Sequence, residues 1–244
     1  VKYGSVCEKG KRPQNQDGML VRMDRRYMPL AAVSDGMGGH LAGDAASALS
    51  LQILDENTRC MNIAPQDMLA RAYVLANDAV LEEAHRDPHK DGMGATLVSA
   101  LFFPDHFIAA NVGDSRLYSF KQGVLRQVTY DHSYVQELVR LGYITKEQAK
   151  HHPKRNLITR CIGSSDGPFE TDFFYIDWKQ GDSVLLCSDG LSGVLEEEDI
   201  QDILSQPYSP QIQCEKLAAL ALKKGSTDNI TALIVCNDEE DTYS

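Results

Sequence analysis

Four short polar motifs, each built around an aspartate, are spread over almost the whole chain. They read Arg12-Pro-Gln-Asn-Gln-Asp17, Asp35-Gly-Met-Gly-Gly39, Asp189-Gly190 and Ser226-Thr-Asp228-Asn229. Carboxylates that a fold gathers from both ends of a chain suit one purpose, the holding of hard divalent cations. A metal-dependent enzyme is therefore the leading expectation.

The 244 residues suffice for one large domain or two small ones. No repeat, low-complexity tract or linker divides them. A short apolar run at 29–34 ends on Asp35. Residues 42–57 and 65–84 carry helical patterns, with Pro65 suited to a helix start. Residues 95–103 and 107–120 read as strands joined by the turn Pro104-Asp-His106, and Lys121-Gln-Gly123 turns into a third strand at 124–129. Consecutive strands with tight turns favour an antiparallel sheet over a βαβ array. Residues 133–152 turn helical and amphipathic, interrupted at Gly142. Later strands are predicted at 169–178, 183–188 and 229–236, with helices at 196–204 and 209–224 and Gly225 as a stop. The acidic end, 238–244, reads as frayed. The pattern predicts one α+β domain over residues 1–244, antiparallel sheets covered by helix pairs, with an inserted helical flap at about 133–160.

A hydrophobic fraction of 43% and a charged fraction of 24% belong to a chain that buries a sizeable core. The net charge of −11 would repel a phosphate backbone, and no basic cluster reads as a nucleic-acid surface. No apolar run is long enough to span a membrane, and no signal peptide is visible. The six cysteines are widely spaced, without a C-x-x-C pair, which argues against a disulfide framework or a zinc site. They read as buried free thiols in a reducing compartment, so a cytoplasmic location is expected.

An Asp-Gly pair after an apolar strand is ordinarily a hairpin turn. Here Asp35-Gly36 leads through a Gly-rich stretch to a helix, and Asp189-Gly190 leads through Leu191-Ser-Gly193 to the acidic helix start at Glu196. Both aspartates are expected at a strand end entering an irregular segment. A helix N-cap explains one aspartate at a time and not the set. Four carboxylates, with waters filling the remaining positions, can hold two magnesium or manganese ions. Two such ions can lower the pKa of a shared water and clamp a phosphoryl oxygen. Glycine beside a ligand lets backbone approach an ion closely. Arg12, held extended by Pro13, offers a planar fork that matches phosphate oxygens.

These motifs resemble those of the metal-dependent Ser/Thr protein phosphatases of type 2C, particularly the bacterial branch. The resemblance covers nearly the whole chain, in order. It runs through Arg12-x-x-Asn15-Gln-Asp17, Val33-Ser-Asp35-Gly-Met-Gly-Gly-His40, Gly92-Met-Gly-Ala-Thr96 and Asn111-Val-Gly-Asp-Ser-Arg116. It continues through Asp131-His-Ser133, Leu157-Ile-Thr-Arg160 with Gly163, Leu186-Cys-Ser-Asp189-Gly190 and Ser226-Thr-Asp228-Asn229.

The resemblance implies a four-layer α-β-β-α sandwich and a binuclear Mn2+ or Mg2+ centre. Asp17, Asp35, Asp189 and Asp228 match the family's metal aspartates, and Gly36 would lend its carbonyl. Asp114, with Asp189, matches the site of a third, weaker metal, and Arg12 matches the phosphate-binding arginine. The implied reaction is hydrolysis of phosphoserine and phosphothreonine in proteins by a water or hydroxide bridging two metals, without a covalent phosphoenzyme. The implied partners are phosphorylated proteins and a cognate Ser/Thr kinase, with the phosphatase a monomer. The flap would influence which phosphoproteins gain access, and Asp131-His132-Ser133 resembles a catalytic cluster only superficially. One departure concerns the proton for the leaving alkoxide. Animal members carry a histidine after the Asp-Gly; this chain has Met37, and His40 stands three residues on. Two alternatives are a catalytically silent pseudophosphatase that binds phosphoproteins and a sporulation-type regulatory phosphatase. Retention of every metal aspartate argues against the first.

Overall fold

Runs such as Leu97-Val-Ser-Ala-Leu-Phe102 and Ile230-Thr-Ala-Leu-Ile-Val-Cys236 are apolar on both alternating faces, as strands covered on both sides must be. The structure is a computed structural model describing residues 1–24, 26–59, 62–165 and 167–238, with residues 39–41 described by backbone only. In chain order the first half holds β1 (Lys2–Glu8), β2 (Asp17–Arg22), β3 (Leu30–Met37), α1 (Gly39–Asn57), α2 (Pro65–Arg86), β4 (Gly94–Ala95), β5 (Leu97–Phe102) and β6 (His106–Val112). The second half holds β7 (Arg116–Lys121), β8 (Val124–Gln127), α3 (Tyr134–Arg140), α4 (Lys146–Lys150), β9 (Asp172–Asp177), β10 (Ser183–Cys187), α5 (Asp189–Ser192), α6 (Glu197–Leu204), α7 (Pro210–Lys223) and β11 (Ile230–Cys236).

The strands form two antiparallel sheets, ordered β1-β11-β10-β7-β8 and β2-β3-β5-β6-β9, with β4 added to β3. Three apolar cores separate four layers. Leu54, Met68, Leu69 and Tyr73 of α1 and α2 pack on Leu97 and Leu101 of β5. Val33, Val98, Phe107 and Trp178 meet Leu117, Leu186 and Leu233 between the sheets. Leu185 and Ile234 face Ile200 of α6 and Leu217 of α7. Adjacent residues Leu185 and Leu186 thus serve opposite cores, the period-two rule of a strand at work. Each such side chain, fully buried, stabilises the fold by about 1.5–3 kcal/mol.

The helices start and stop where local chemistry dictates. Pro65 opens α2, with Asp67 in its first turn and His85 and Arg86 in its last, matching the helix dipole. Ser209 caps α7 by accepting from the Ile212 amide, and Gly225 follows its end with φ +97°. Gly142, at φ +76°, lies between α3 and α4, where the amphipathic pattern is interrupted.

Several expectations need correction. Residues 107–120 are not one strand. β6 ends at Val112 and β7 begins at Arg116, and the two belong to opposite sheets, so Gly113-Asp114-Ser115 is a crossing between layers. Gly113 has φ +110°, and a Cβ there would stand 2.6 Å from the Thr96 side chain, so both conformation and space call for glycine. β1 and β2 have too little apolar alternation to be read from sequence; β1 forms because β11 offers it seven paired positions, Lys2↔Cys236 through Glu8↔Ile230. Asp35 does not end its strand, since β3 continues through Gly36 to Met37, and Asp189 is the first residue of the one-turn helix α5 rather than part of an irregular segment. The residues after 238, read as frayed, lie outside the described residues.

The fold matters for the site through its ends. Pairing of β1 with β11 lays the loop after Glu8 beside the loop before Ile230, so Arg12 and Asp228 become neighbours although 216 residues separate them.

Candidate metal centre

Asp17 and Asp35 occupy directly opposed positions on β2 and β3. Asp189 opens α5 just past the end of β10, Asp228 stands in the loop before β11, and Asp114 stands in the crossing between the sheets. A cleft of about 470 Å³ opens where these elements converge, lined by Arg12, Asp35, Gly36, Asp114, Asp189 and Asp228. Asp17 is not in the lining. It lies under the floor, 9% exposed, with Oδ2 accepting from Ser188 Oγ at 2.7 Å and from Thr231 Oγ1 at 2.7 Å.

The electrostatics are those of buried carboxylates pressed together, only partly offset by Arg12 and Arg116. Burial, opposed by the two hydroxyl donors, pushes Asp17 up to about 6, and the nearby charges of Asp189 and Asp228 add to it. Asp35 keeps part of its surface open to the cleft yet is pushed well above the ordinary carboxylate range, by burial first and then by Asp17, Asp189 and Asp114. Burial raises Asp114 to about 8, with Asp189 the next cause. Burial and Asp228 raise Asp189 also. Removal of carboxylates from water, and repulsion between them, both favour the neutral form. A cation among them would remove both penalties.

Oxygen atoms are available to receive such a cation. Asp17 Oδ1 and Asp189 Oδ1 are buried with no hydrogen-bond partner, a costly state for a carboxylate unless an ion or water completes it. The donor set is wholly hard oxygen, as Mg2+ and Mn2+ prefer. Among the described residues no three His, Cys, Asp or Glu side chains form a compact cage for one ion. Mg2+ in particular ordinarily keeps several waters and takes one or two carboxylates, so such a cage is not required. The residues present therefore fit hard divalent cations.

Two glycines permit the convergence. A Cβ on Gly36 would stand 1.9 Å from the Gly43 carbonyl oxygen, and one on Gly190 would stand 1.8 Å from that of Asn229. In both places backbone meets backbone, and no rotamer change could relieve the overlap.

Arg12 reaches over the rim, 55% exposed on its side chain, and its Nη2 donates to Asp228 Oδ2 at 2.8 Å. That bond and the charge of Asp228 raise the guanidinium pKa further above its ordinary value. Asn229 fastens the Arg12 loop. Its Nδ2 donates to the Lys9 and Gln14 carbonyls at 2.8 Å each, and its Oδ1 accepts from the Gln16 amide at 2.9 Å.

Sequence reasoning missed a supporting set. Thr96 Oγ1 accepts from the Asp35 amide at 2.9 Å and pairs with Ser115 Oγ at 2.7 Å, tying β3 to the Asp114 crossing. His132 Nδ1 accepts from the Gly113 amide at 3.1 Å, which leaves Nε2 to donate to Asp172 Oδ2 at 3.1 Å. Nothing in a linear sequence marks Ser188 and Thr231 as partners of Asp17. Asp131-His132-Ser133 divides into three jobs: Asp131 takes Arg116 in a two-pronged ion pair, His132 props Gly113, and Ser133 caps α3. Met37 lines the cleft, whereas the side chain of His40 lies outside the described residues. The cysteine reading needs adjustment: Cys187 and Cys214 are buried, Cys7, Cys161 and Cys236 are half-buried, and Cys60 lies outside the described residues.

Residues 6–223 match the sequence family described as Protein phosphatase 2C. The chain is 37% identical over 229 residues to the serine/threonine phosphatase stp of Listeria welshimeri, covering 92% of this chain and 90% of that protein. The structure of the S. agalactiae serine/threonine phosphatase superposes with a TM-score of 0.90 at 33% identity, over 96% of this chain and 99% of that one. The catalytic domain of the serine/threonine protein phosphatase PstP, solved in complex with two manganese ions, superposes with a TM-score of 0.84 at 32% identity, over 96% of each chain.

Proposed function

This chain belongs to the protein phosphatase 2C family, and we propose that it removes phosphate from phosphoserine and phosphothreonine in proteins, using two divalent ions held by Asp17, Asp35, Asp189 and Asp228. The observation that carries the assignment of residues is the buried, mutually repelling carboxylate cluster with two unpartnered oxygens beneath an open cleft. The backbone carbonyl of Gly36 adds a neutral oxygen donor, and Asp114 with Asp189 offers a weaker third position. Held by these residues, Mn2+ or Mg2+ would supply Lewis acidity, lowering the pKa of a water and offsetting charge on the phosphoryl oxygens.

The chain's own groups do the rest. Arg12 presents its fork at the cleft mouth, where it grips the phosphoryl oxygens and stabilises the charge that builds on them in the transition state. Asp228 and the Asn229 clamp hold that fork in place before substrate arrives, which lowers the cost of orienting it. Ser188 and Thr231 fix the rotamer of Asp17 by two hydrogen bonds, leaving Oδ1 as its donor atom. Met37 has no proton to give, so the leaving alkoxide takes its proton from elsewhere than that position.

A Ser/Thr kinase is the natural opponent, and the phosphatase is read as a monomer, with the cleft lined from Arg12 to Asp228 by one chain. The free thiols favour a reducing, cytoplasmic setting. Among the described residues no helix is long and apolar enough to cross a membrane. The pseudophosphatase reading loses its ground, since no member of the carboxylate set is missing. The test is hydrolysis of p-nitrophenyl phosphate with manganese, with EDTA and with Asp35→Ala. Manganese-dependent turnover abolished by both controls is expected. A manganese-loaded protein without turnover would overturn the assignment.

A further inference from the structure

The cleft has an acidic floor and basic rims. On one rim Arg12 is accompanied by Lys9 and Lys11; on the other, Asn156 and Ile158 line the cleft and are preceded by Lys154 and Arg155. Lys9, Lys11, Lys154 and Arg155 are exposed, and none forms an ion pair with a described residue. Three neighbouring cations are otherwise engaged, while Lys146 at the start of α4 is exposed and has no ion pair with a described residue. Arg140 pairs with Glu137, Lys150 with Glu147 and Glu196, and Arg160 with Asp172. Residues 134–160 carry six Lys and Arg against two Asp and Glu, in a chain whose net charge is −11. The excess is local and opposite in sign to the rest of the protein.

The Lys154–Arg155 rim is also held in shape. The Arg155 amide donates to the His152 carbonyl at 3.1 Å, the Leu157 amide to the Lys154 carbonyl at 3.1 Å, and the Tyr134 amide to the Leu157 carbonyl at 2.8 Å. Lys154 Nζ lies 5.2 Å from the centroid of the Tyr134 ring, a cation–π placement that limits its wandering. Leu157 beside them is 50% exposed. Exposed like charges without an ion-pair partner, on a backbone held in shape, suit an anionic partner.

Within the proposed reaction the phosphate itself is met by Arg12 and the ions, so these four cations need other negative charges. A cleft of about 470 Å³ admits a phosphorylated side chain. The peptide carrying it advances roughly 3.3–3.6 Å per residue, so its neighbouring residues pass over the rims. We propose that Lys9 and Lys11 on one rim and Lys154 and Arg155 on the other form a charge filter that favours phosphorylation sites flanked by Asp and Glu. This inference rests on the phosphatase reading and names its substrate class.

The test compares phosphothreonine peptides of one length whose flanking residues are all Glu, all Gln or all Lys. At low salt kcat/KM should fall from Glu to Gln to Lys by about tenfold overall, mostly through KM, and the spread should shrink as salt screens exposed charges. Lys154→Glu with Arg155→Glu should remove or invert the preference, and so, independently, should Lys9→Glu with Lys11→Glu. The Lys154→Glu with Arg155→Glu variant should hydrolyse p-nitrophenyl phosphate like the unmodified enzyme. Equal kcat/KM for the three peptides, or variants that slow all three alike, would overturn the filter while leaving the phosphatase intact. Binding to phosphatidylserine vesicles that both variants abolish, with no discrimination among peptides, would reassign the rims to a lipid surface. Absence of p-nitrophenyl phosphate turnover in the unmodified enzyme would sink the phosphatase reading and the filter with it.

Discussion

Asp17 and Asp35 face each other across the antiparallel pair of β2 and β3, like charges at opposed positions of one register. Such pairs destabilise a sheet, and here both carboxyls are held above the ordinary carboxylate range chiefly by burial. A cation held among these carboxylates would turn that repulsion into attraction. Asp35→Asn should therefore stabilise the metal-free protein while destroying its function, a trade-off expected of a site built for binding. The gain should be on the order of 1–2 kcal/mol, or about 2–8 °C in Tm, measured by calorimetry in EDTA. Manganese should raise the Tm of the unmodified protein and leave that of the variant unchanged. A variant less stable than its parent in EDTA would show that the opposed carboxyls support the apo fold instead.

Arg12→Lys tests whether shape or charge matters at the cleft mouth. Lysine keeps the charge next to Asp228 but offers no planar fork. Loss of one charge-assisted hydrogen bond is worth about 1.5–3 kcal/mol, so kcat/KM should drop roughly 10–100-fold with manganese affinity unchanged. Retention of more than a third of the activity would remove Arg12 from direct phosphate contact.

His132 should behave as a structural prop with a pH signature. Its Nδ1 takes the buried Gly113 amide, which requires a neutral ring, and burial lowers its pKa from the ordinary histidine value. Asp172, Arg160 and Asp131 are the charged groups acting on it, and burial outweighs the raising effect of the two aspartates. The folded state thus binds fewer protons at this ring than the unfolded chain. The contribution is complete above about pH 6.5 and is lost as pH falls below it. His132→Ala should lower stability by about 1–3 kcal/mol at pH 7.5 and flatten the loss between pH 6.5 and 5.5. Urea melts at the two pH values decide it, and parallel losses in both proteins would contradict the assignment.

Two glycine substitutions separate steric from conformational demands. Gly190→Ala places a Cβ 1.8 Å from the Asn229 carbonyl oxygen, so Asp189 and Asp228 must move apart or the chain must fail to fold. Gly92→Ala meets nothing within 4 Å and carries only the strain of φ +70°, about 1 kcal/mol. The first should abolish activity and lower Tm severely; the second should leave activity near its original level. Comparable Tm values for the two variants would argue against the close backbone approach beside Asp189.

Much of this was legible in the linear sequence because local chemistry and long-range need coincide there. Asp35-Gly36 and Asp189-Gly190 carry both the charge and the small neighbour that close packing requires, and the helices at α2 and α7 announce their own ends. The sequence was silent where a partner strand decides the outcome. β1 has little pattern of its own and exists through β11, and the break at Gly113-Asp114-Ser115 looks like a hairpin interior until the two sheets are seen to part. Ser188, Thr231 and His132 act through side chains brought together from distant segments, and no spacing rule connects them to Asp17 or Asp114.

Anomalous diffraction at the manganese edge, from crystals grown with Mn2+, tests the carboxylate assignment most directly. Two strong peaks about 3.5–4 Å apart, among Asp17, Asp35, Asp189 and Asp228 with the Gly36 carbonyl beside one of them, are expected. An active enzyme whose manganese peaks lie away from these aspartates, or a single peak touching none of them, would contradict it.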